Sequence, residues 1–127
     1  KLSVETAFAK SKAGDVIGIL ASPALRKTQL FEKYFQASER TLIWPEDDTK
    51  MVQAIRKIKT SGDTAEARSI LLDASSELTR RGANLQLVAC SEFSVIQTSH
   101  DPSAAMIDTL DVLAEAVARF ALEARGP

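Results

Sequence analysis

Cys90 is the residue whose type and setting point most directly at proton-transfer chemistry. It follows the apolar run Leu85-Gln-Leu-Val-Ala89, so a strand would deliver the thiol at its carboxyl end, just before a helix or turn. Backbone N–H groups not yet used by a helix would meet the sulfur there, stabilise a thiolate and lower its pKa. The competing reading is an inert small hydrophobe, because free cysteine is among the most buried residue types. Ser91 and Glu92 come next. Ser91 could hold a carboxylate with its hydroxyl and N–H, or merely cap the following turn. Glu92 at the start of a short helix is favoured by the dipole whether or not it does chemistry.

Other chemistries lack a constellation. His100 lies in the polar stretch Thr98-Ser-His-Asp-Pro-Ser103 with no acid or thiol at a catalytic spacing, and reads as a solvated loop residue. One Cys, one His and scattered carboxylates make no metal-ligand cluster. Gly14 and Gly18 fall before and inside the first apolar run, so they form no phosphate-cradling loop. No serine sits in a G-x-S-x-G elbow.

The elements that must position Cys90 can be read from periodicity. Asp15-Val-Ile-Gly-Ile-Leu-Ala21 is a short, apolar, β-branched run of the kind buried on both faces in parallel sheets. A short helix is expected before it over residues 5–12, stopping at Ala13-Gly14. Ser22-Pro23 supplies an N-cap and a first-turn proline for a helix over residues 23–36, with Leu25, Leu30, Phe31 and Tyr34 or Phe35 toward the sheet. Thr41-Leu-Ile-Trp44 is a second strand, closed by Pro45. Asp48 or Thr49 should cap a helix through Lys59, carrying Met51, Val52, Ile55 and Ile58 at helical spacing. Asp63 or Thr64 starts another, with Ile70, Leu71, Ala74 and Leu78 inward, ended by Arg80, Arg81 and Gly82. After the strand before Cys90, Met106-Ile107 is a minimal fourth strand and residues 110–123 a last helix.

This order, with short connections, predicts a single α/β domain over residues 1–127: a four-stranded parallel sheet flanked by helices on both faces. The ends facing a ligand would then be Ala21-Ser22, Trp44-Pro45, Cys90-Ser91-Glu92 and Asp108-Thr109. The last helix carries apolar residues all round, from Leu110 to Leu122. It is expected either to be well buried on its own sheet or to pack on something further, such as another domain.

Composition narrows the class. In 127 residues, 45% apolar and 26% charged content is typical of a globular domain. Sixteen basic residues against 17 acidic ones leave a net charge of −1, which argues against a nucleic-acid or membrane surface. No apolar run approaches the length of a membrane span. A single cysteine excludes an internal disulfide and points to a reducing, cytoplasmic compartment. A first residue of Lys1 rather than Met, followed by Leu-Ser-Val, leads to the expectation of a fragment of a longer protein.

The strand ends resemble a known family. Gly82-Ala-Asn-Leu-Gln-Leu-Val-Ala-Cys-Ser-Glu-Phe93 is similar to the G-A-D-x-V-x-L-G-C-T-E-L segment of aspartate and glutamate racemases. Ile17-Gly-Ile-Leu-Ala-Ser-Pro-Ala24 resembles the first strand and turn of their second domain. Ile107-Asp-Thr109, before an alanine-rich helix, is similar to their closing segment.

The resemblance implies two facing α/β domains, each giving one cysteine, that racemise an amino acid without a cofactor. One thiolate removes the α-proton and the opposite thiol returns one to the other face of a planar intermediate. On this chain it implies Cys90 as the second-domain thiol and Ser91 as an anion-holding hydroxyl beside Glu92. Ser22 would grip a substrate carboxylate, and Lys59 would bind the side-chain carboxylate of aspartate or a related acidic substrate. The partner cysteine would lie in an N-terminal racemase domain of the same protein, and a homodimer is expected. Two departures stand out: Ala89 replaces the glycine before the cysteine, and Leu25 replaces the second hydroxyl of the first turn. They keep open a single-cysteine enzyme of the arylmalonate decarboxylase or maleate isomerase kind, and a non-catalytic binding domain.

Overall fold

Gly14, at φ +89°, turns the chain into the first strand, a conformation open to glycine at no steric cost. In the computed structural model residues 2–36, 38–96 and 105–125 are described, without the side chains of residues 2–4, 110–114, 124 and 125. His100 lies outside the described residues.

Helix α1 (Leu2–Ala9) precedes β1 (Val16–Leu20) and starts and stops about three residues earlier than its sequence suggests. The expected helix over residues 23–36 is two: α2 (Pro23–Lys27) and α3 (Leu30–Phe35). The break comes from Thr28, whose hydroxyl donates to the Leu25 carbonyl at 2.6 Å and accepts from the Leu30 N–H at 3.2 Å. It thus ends one helix and starts the next, while Gln29 takes a left-handed φ of 54°. The break rotates α3, so Phe31 and Phe35 are buried while Leu30 and Tyr34 point outward.

Strand β2 (Thr41–Ile43) leads to α4 (Asp48–Ser61). Asp47, one residue before the expected cap, accepts the Lys50 N–H at 3.0 Å. Thr64 caps α5 (Ala65–Arg80) through the Ala67 N–H at 3.2 Å. Then come β3 (Leu85–Val88), α6 (Ser91–Val95), β4 (Met106–Asp108) and α7 (Thr109–Arg125).

The four strands are all parallel in the order β2-β1-β3-β4. Strand residues alternate between two cores, as a period of two requires. Ile17, Ile19, Leu85, Leu87 and Ile107 join Ala7, Phe31, Phe35 and Trp44 on one face. Leu20 and Val88 join the apolar stripes of α4 and α5, with Phe93 and Ile96, on the other. Helices therefore cover both faces. On the second face α5 comes so close to β1 that a Cβ on Gly18 would stand 2.8 Å from Leu78 Cδ1. Gln86 is buried there among apolar residues. Its amide is satisfied by the Ser75 hydroxyl at 2.7 Å, the Ser75 carbonyl at 3.0 Å and the Thr79 hydroxyl at 3.0 Å.

Chain direction across the sheet reverses between β1 and β3. After β1 the chain crosses to the Phe31 face and β2; after β3 it enters α6 on the opposite face. Loops leaving in opposite directions open a crevice at the carboxyl ends of these two strands, where open parallel sheets bind ligands.

Helix α7 packs on β4 and α1. Along the described side chains 115–123 it is exposed except for half-buried Ala116, and Val117, Phe120 and Leu122 are 59%, 72% and 70% exposed. Of the two expectations for this helix, burial on its own sheet does not describe that segment. No helix among the described residues is long and apolar enough to cross a membrane.

Candidate active site at the carboxyl ends of β1 and β3

Leu20 of β1 pairs with Val88 of β3, and the Ala89 N–H extends the ladder to the Leu20 carbonyl at 3.0 Å. Ser22 and Cys90 each lie two residues beyond that last pair, so they flank the crevice from neighbouring strands. By strand parity both belong to the face of Leu20 and Val88.

Cys90 is extended, at φ −147° and ψ 127°, and occupies the N-cap position of α6 without capping it. Its thiol donates to Glu92 Oε2 at 3.1 Å. The Ser91 hydroxyl donates to the same oxygen at 3.1 Å. Lys59 Nζ lies 3.6 Å from the other oxygen, Glu92 Oε1. Packing of α4 against α6 makes this last contact: Lys59, in the final turn of α4, reaches across to the first turn of α6. Three of the expected residues therefore converge on Glu92.

The protonation state is the reverse of the one expected from position. Burial pushes the Cys90 thiol above its ordinary value, and the hydrogen-bonded, negatively charged Glu92 carboxylate adds to the rise. The backbone N–H dipoles of Phe93 and Glu92 pull the other way, without overcoming it and without closing a cap hydrogen bond to the sulfur. Glu92 itself is held below the usual carboxylate range, first by the thiol hydrogen bond, then by its own N–H, Ser91 and Lys59. Cys90 thus rests as a thiol and Glu92 as a carboxylate.

Ser22 is half-buried, and its hydroxyl oxygen accepts the Leu25 N–H at 3.3 Å, which caps α2. Its role as a cap is thus observed. The Leu25 side chain packs into the Phe31 and Trp44 core, as does Ala89. Both departures from the family pattern therefore fill the core on the face away from Cys90.

One neighbour, Ser94, gave no signal of its own in the sequence, and it meets Asp108 at the strand end expected to face a ligand. Ser94 donates to Asp108 Oδ1 at 2.9 Å and to the Cys90 carbonyl at 3.3 Å, tying the end of β4 to the turn that carries the thiol. The usable hint was spacing: Ser94 lies four residues after Cys90, one helical turn. Among the described residues no group of three or more His, Cys, Asp or Glu is placed to hold a metal ion. A groove of about 740 Å³ runs between α2 and α4 past Pro23, Lys27, Gln53 and Arg56. Neither Cys90 nor Glu92 lines it, and both are half-buried.

No family model matches the sequence. The fold is similar to that of the aspartate racemase of Picrophilus torridus, with a TM-score of 0.70 over 84% of this chain at 19% sequence identity. The chain covers 44% of that protein, less than half its length. At this identity the likeness establishes the α/β architecture that the two chains share.

Proposed function

We propose that this chain supplies one thiol of a cofactor-independent racemase that acts on aspartate or a related acidic amino acid. The observation that carries the reading is the convergence of Cys90, Ser91 and Lys59 on Glu92 at the switch point of a parallel sheet. Cys90 is the proton-transferring group, moving a proton between sulfur and the substrate α-carbon. Lys59 offers a cation to the substrate's side-chain carboxylate, and Ser22 and Ser91 offer hydroxyls where charge grows as the carbanion forms. Likeness to an aspartate racemase over the matching part of that longer protein supports the same reading.

In this reading the second thiol comes from an N-terminal domain of the same protein. That domain would cover the open face around Cys90 and pack on Val117 and Phe120 of α7, excluding water from the crevice. A homodimer of the full protein is part of the proposal. The test is incubation of the full-length protein with L- and D-aspartate in deuterium oxide, followed by mass spectrometry of the amino acid. Deuterium at the α-carbon with loss of optical rotation is the expected result. Failure to exchange that proton in aspartate, glutamate or their close analogues would sink the proposal.

A second reading is favoured by the resting state of the thiol. A protonated Cys90 suits a single-cysteine enzyme that only delivers a proton, as after decarboxylation of a disubstituted malonate. Carbon dioxide release from an arylmalonate, with no exchange into aspartate, would select it.

A further inference from the structure

We propose that Lys59, Glu92 and Cys90 form a charge latch: Glu92 holds Cys90 as the proton-bearing thiol, and Lys59, shared between Glu92 and the carboxylate of an acidic ligand, sets how firmly it does so. The latch deepens the racemase reading and depends on it for its place in a reaction. Its physical basis is separate.

That basis is three contacts. The Cys90 thiol has the Glu92 carboxylate as acceptor at 3.1 Å, Ser91 shares the same oxygen at 3.1 Å, and Lys59 sits 3.6 Å from the opposite oxygen. Asp108 faces the cluster from β4 through Ser94, whose hydroxyl bridges Asp108 Oδ1 and the Cys90 carbonyl. Among the described residues, Glu92 is the carboxylate bonded to the thiol and Lys59 the cation paired with it, and Lys59 is the more movable, with its side chain 63% exposed. A carboxylate beside a thiol favours the S–H form, and a cation beside that carboxylate weakens the effect. Any acidic ligand that takes over Lys59 leaves Glu92 less compensated, and the thiol is held more firmly.

Acidic ligand binding at Lys59 therefore keeps Cys90 in the proton-bearing form from which the return step starts. In the proton-return step the S–H bond breaks and the new C–H bond forms at the α-carbon. The electron pair stays on sulfur, leaving a thiolate at the start of α6. Glu92 is a positioning residue in this scheme, because it acts on the substrate only through Cys90.

The test is the pH profile of iodoacetamide alkylation at Cys90 in the full-length protein, followed on the Cys90 peptide by mass spectrometry. Alkylation tracks the thiolate fraction, so one pKa unit changes the rate about tenfold below the pKa. Glu92→Gln should speed alkylation near neutral pH by roughly three- to tenfold. Lys59→Met should slow it by about two- to threefold, and Lys59→Arg should restore the wild-type profile. Succinate, a dicarboxylate that carries no amino group, should slow the wild type as Lys59→Met does and leave Lys59→Met unchanged.

Opposite signs for the two charge variants are what a purely structural role would not produce, since loosening α6 would expose the sulfur and speed both. Equal signs, or an unshifted Glu92→Gln profile, overturn the latch. Succinate acting equally on Lys59→Met overturns the sharing of Lys59. Expected shifts without α-proton exchange would leave the latch standing and remove the racemase reading; exchange without the shifts would do the reverse.

Discussion

The Cys90 thiol and the Glu92 carboxylate, two residues apart in the chain, are joined by a hydrogen bond of 3.1 Å that runs from sulfur to oxygen. It forms because the strand ends at Val88 and the chain turns at once into α6, folding the first-turn side chain back over the residue at the N-cap. Position alone suggests an activated thiolate. Burial and the facing carboxylate make it a thiol instead.

Stability should fall with alkaline pH because of this thiol. Its folded pKa is raised, so the unfolded chain loses the proton first, near pH ~8.5, and the folded state binds more protons above that point. The contribution is complete below the unfolded pKa and is lost as pH rises through the folded value. Urea midpoints should therefore drop more steeply in the wild type than in Cys90→Ala as pH rises above about 8.5. Parallel slopes would show that the thiol is not perturbed.

Replacing Lys59 with Met should act on binding of acidic substrate more than on turnover. A hydrogen-bonded ion pair to a ligand carboxylate is worth about 1.5–3 kcal/mol, so KM should rise roughly 10- to 100-fold. The kinetic constants of the full-length protein test this. An unchanged KM would return Lys59 to an ordinary last-turn lysine that favours the helix dipole.

Gly18→Ala should destabilise the domain by about 1–3 kcal/mol, because the added methyl meets buried Leu78 at 2.8 Å. Leu78→Ala alone opens a cavity and costs about 2–5 kcal/mol. The double variant should be less destabilised than the sum of the two, since the new methyl occupies part of the space vacated. Chemical denaturation of the three variants measures the coupling, and strict additivity would mean that α5 shifts freely over β1.

Gln86→Leu should cost about 1–3 kcal/mol by removing the hydrogen bonds its buried amide makes with the Ser75 hydroxyl, the Ser75 carbonyl and the Thr79 hydroxyl. Adding Ser75→Ala should recover part of that loss, because the hydroxyl that donated to Gln86 goes with it. No recovery would assign the cost to the shape of leucine.

The strands, their parallel orientation and the placement of Cys90 at a carboxyl end were legible in short apolar runs bounded by turn residues. Such runs report burial on both faces directly, because a strand with helices on each side has no polar face to show. The caps at Ser22 and Thr64 were legible for a similar reason, since an N-cap bond spans three residues and needs nothing distant. Where competition is local but balanced, as at Thr28, helical periodicity hid a break that one hydroxyl produced.

Local sequence determined the kind of fold and the position of the thiol within it. Tertiary structure alone decided the company that thiol keeps. Lys59 meets Glu92 only because the apolar stripe of α4, with Met51, Ile55 and Ile58, docks on the same core as Phe93 and brings the end of one helix over the start of another. The direction of the Cys90 shift likewise follows from how much water the packed chain leaves around sulfur and which charges it sets beside it. Periodicity encodes which face of an element is buried; the electrostatics of a site depend on distances between elements, and those are settled only when the cores close.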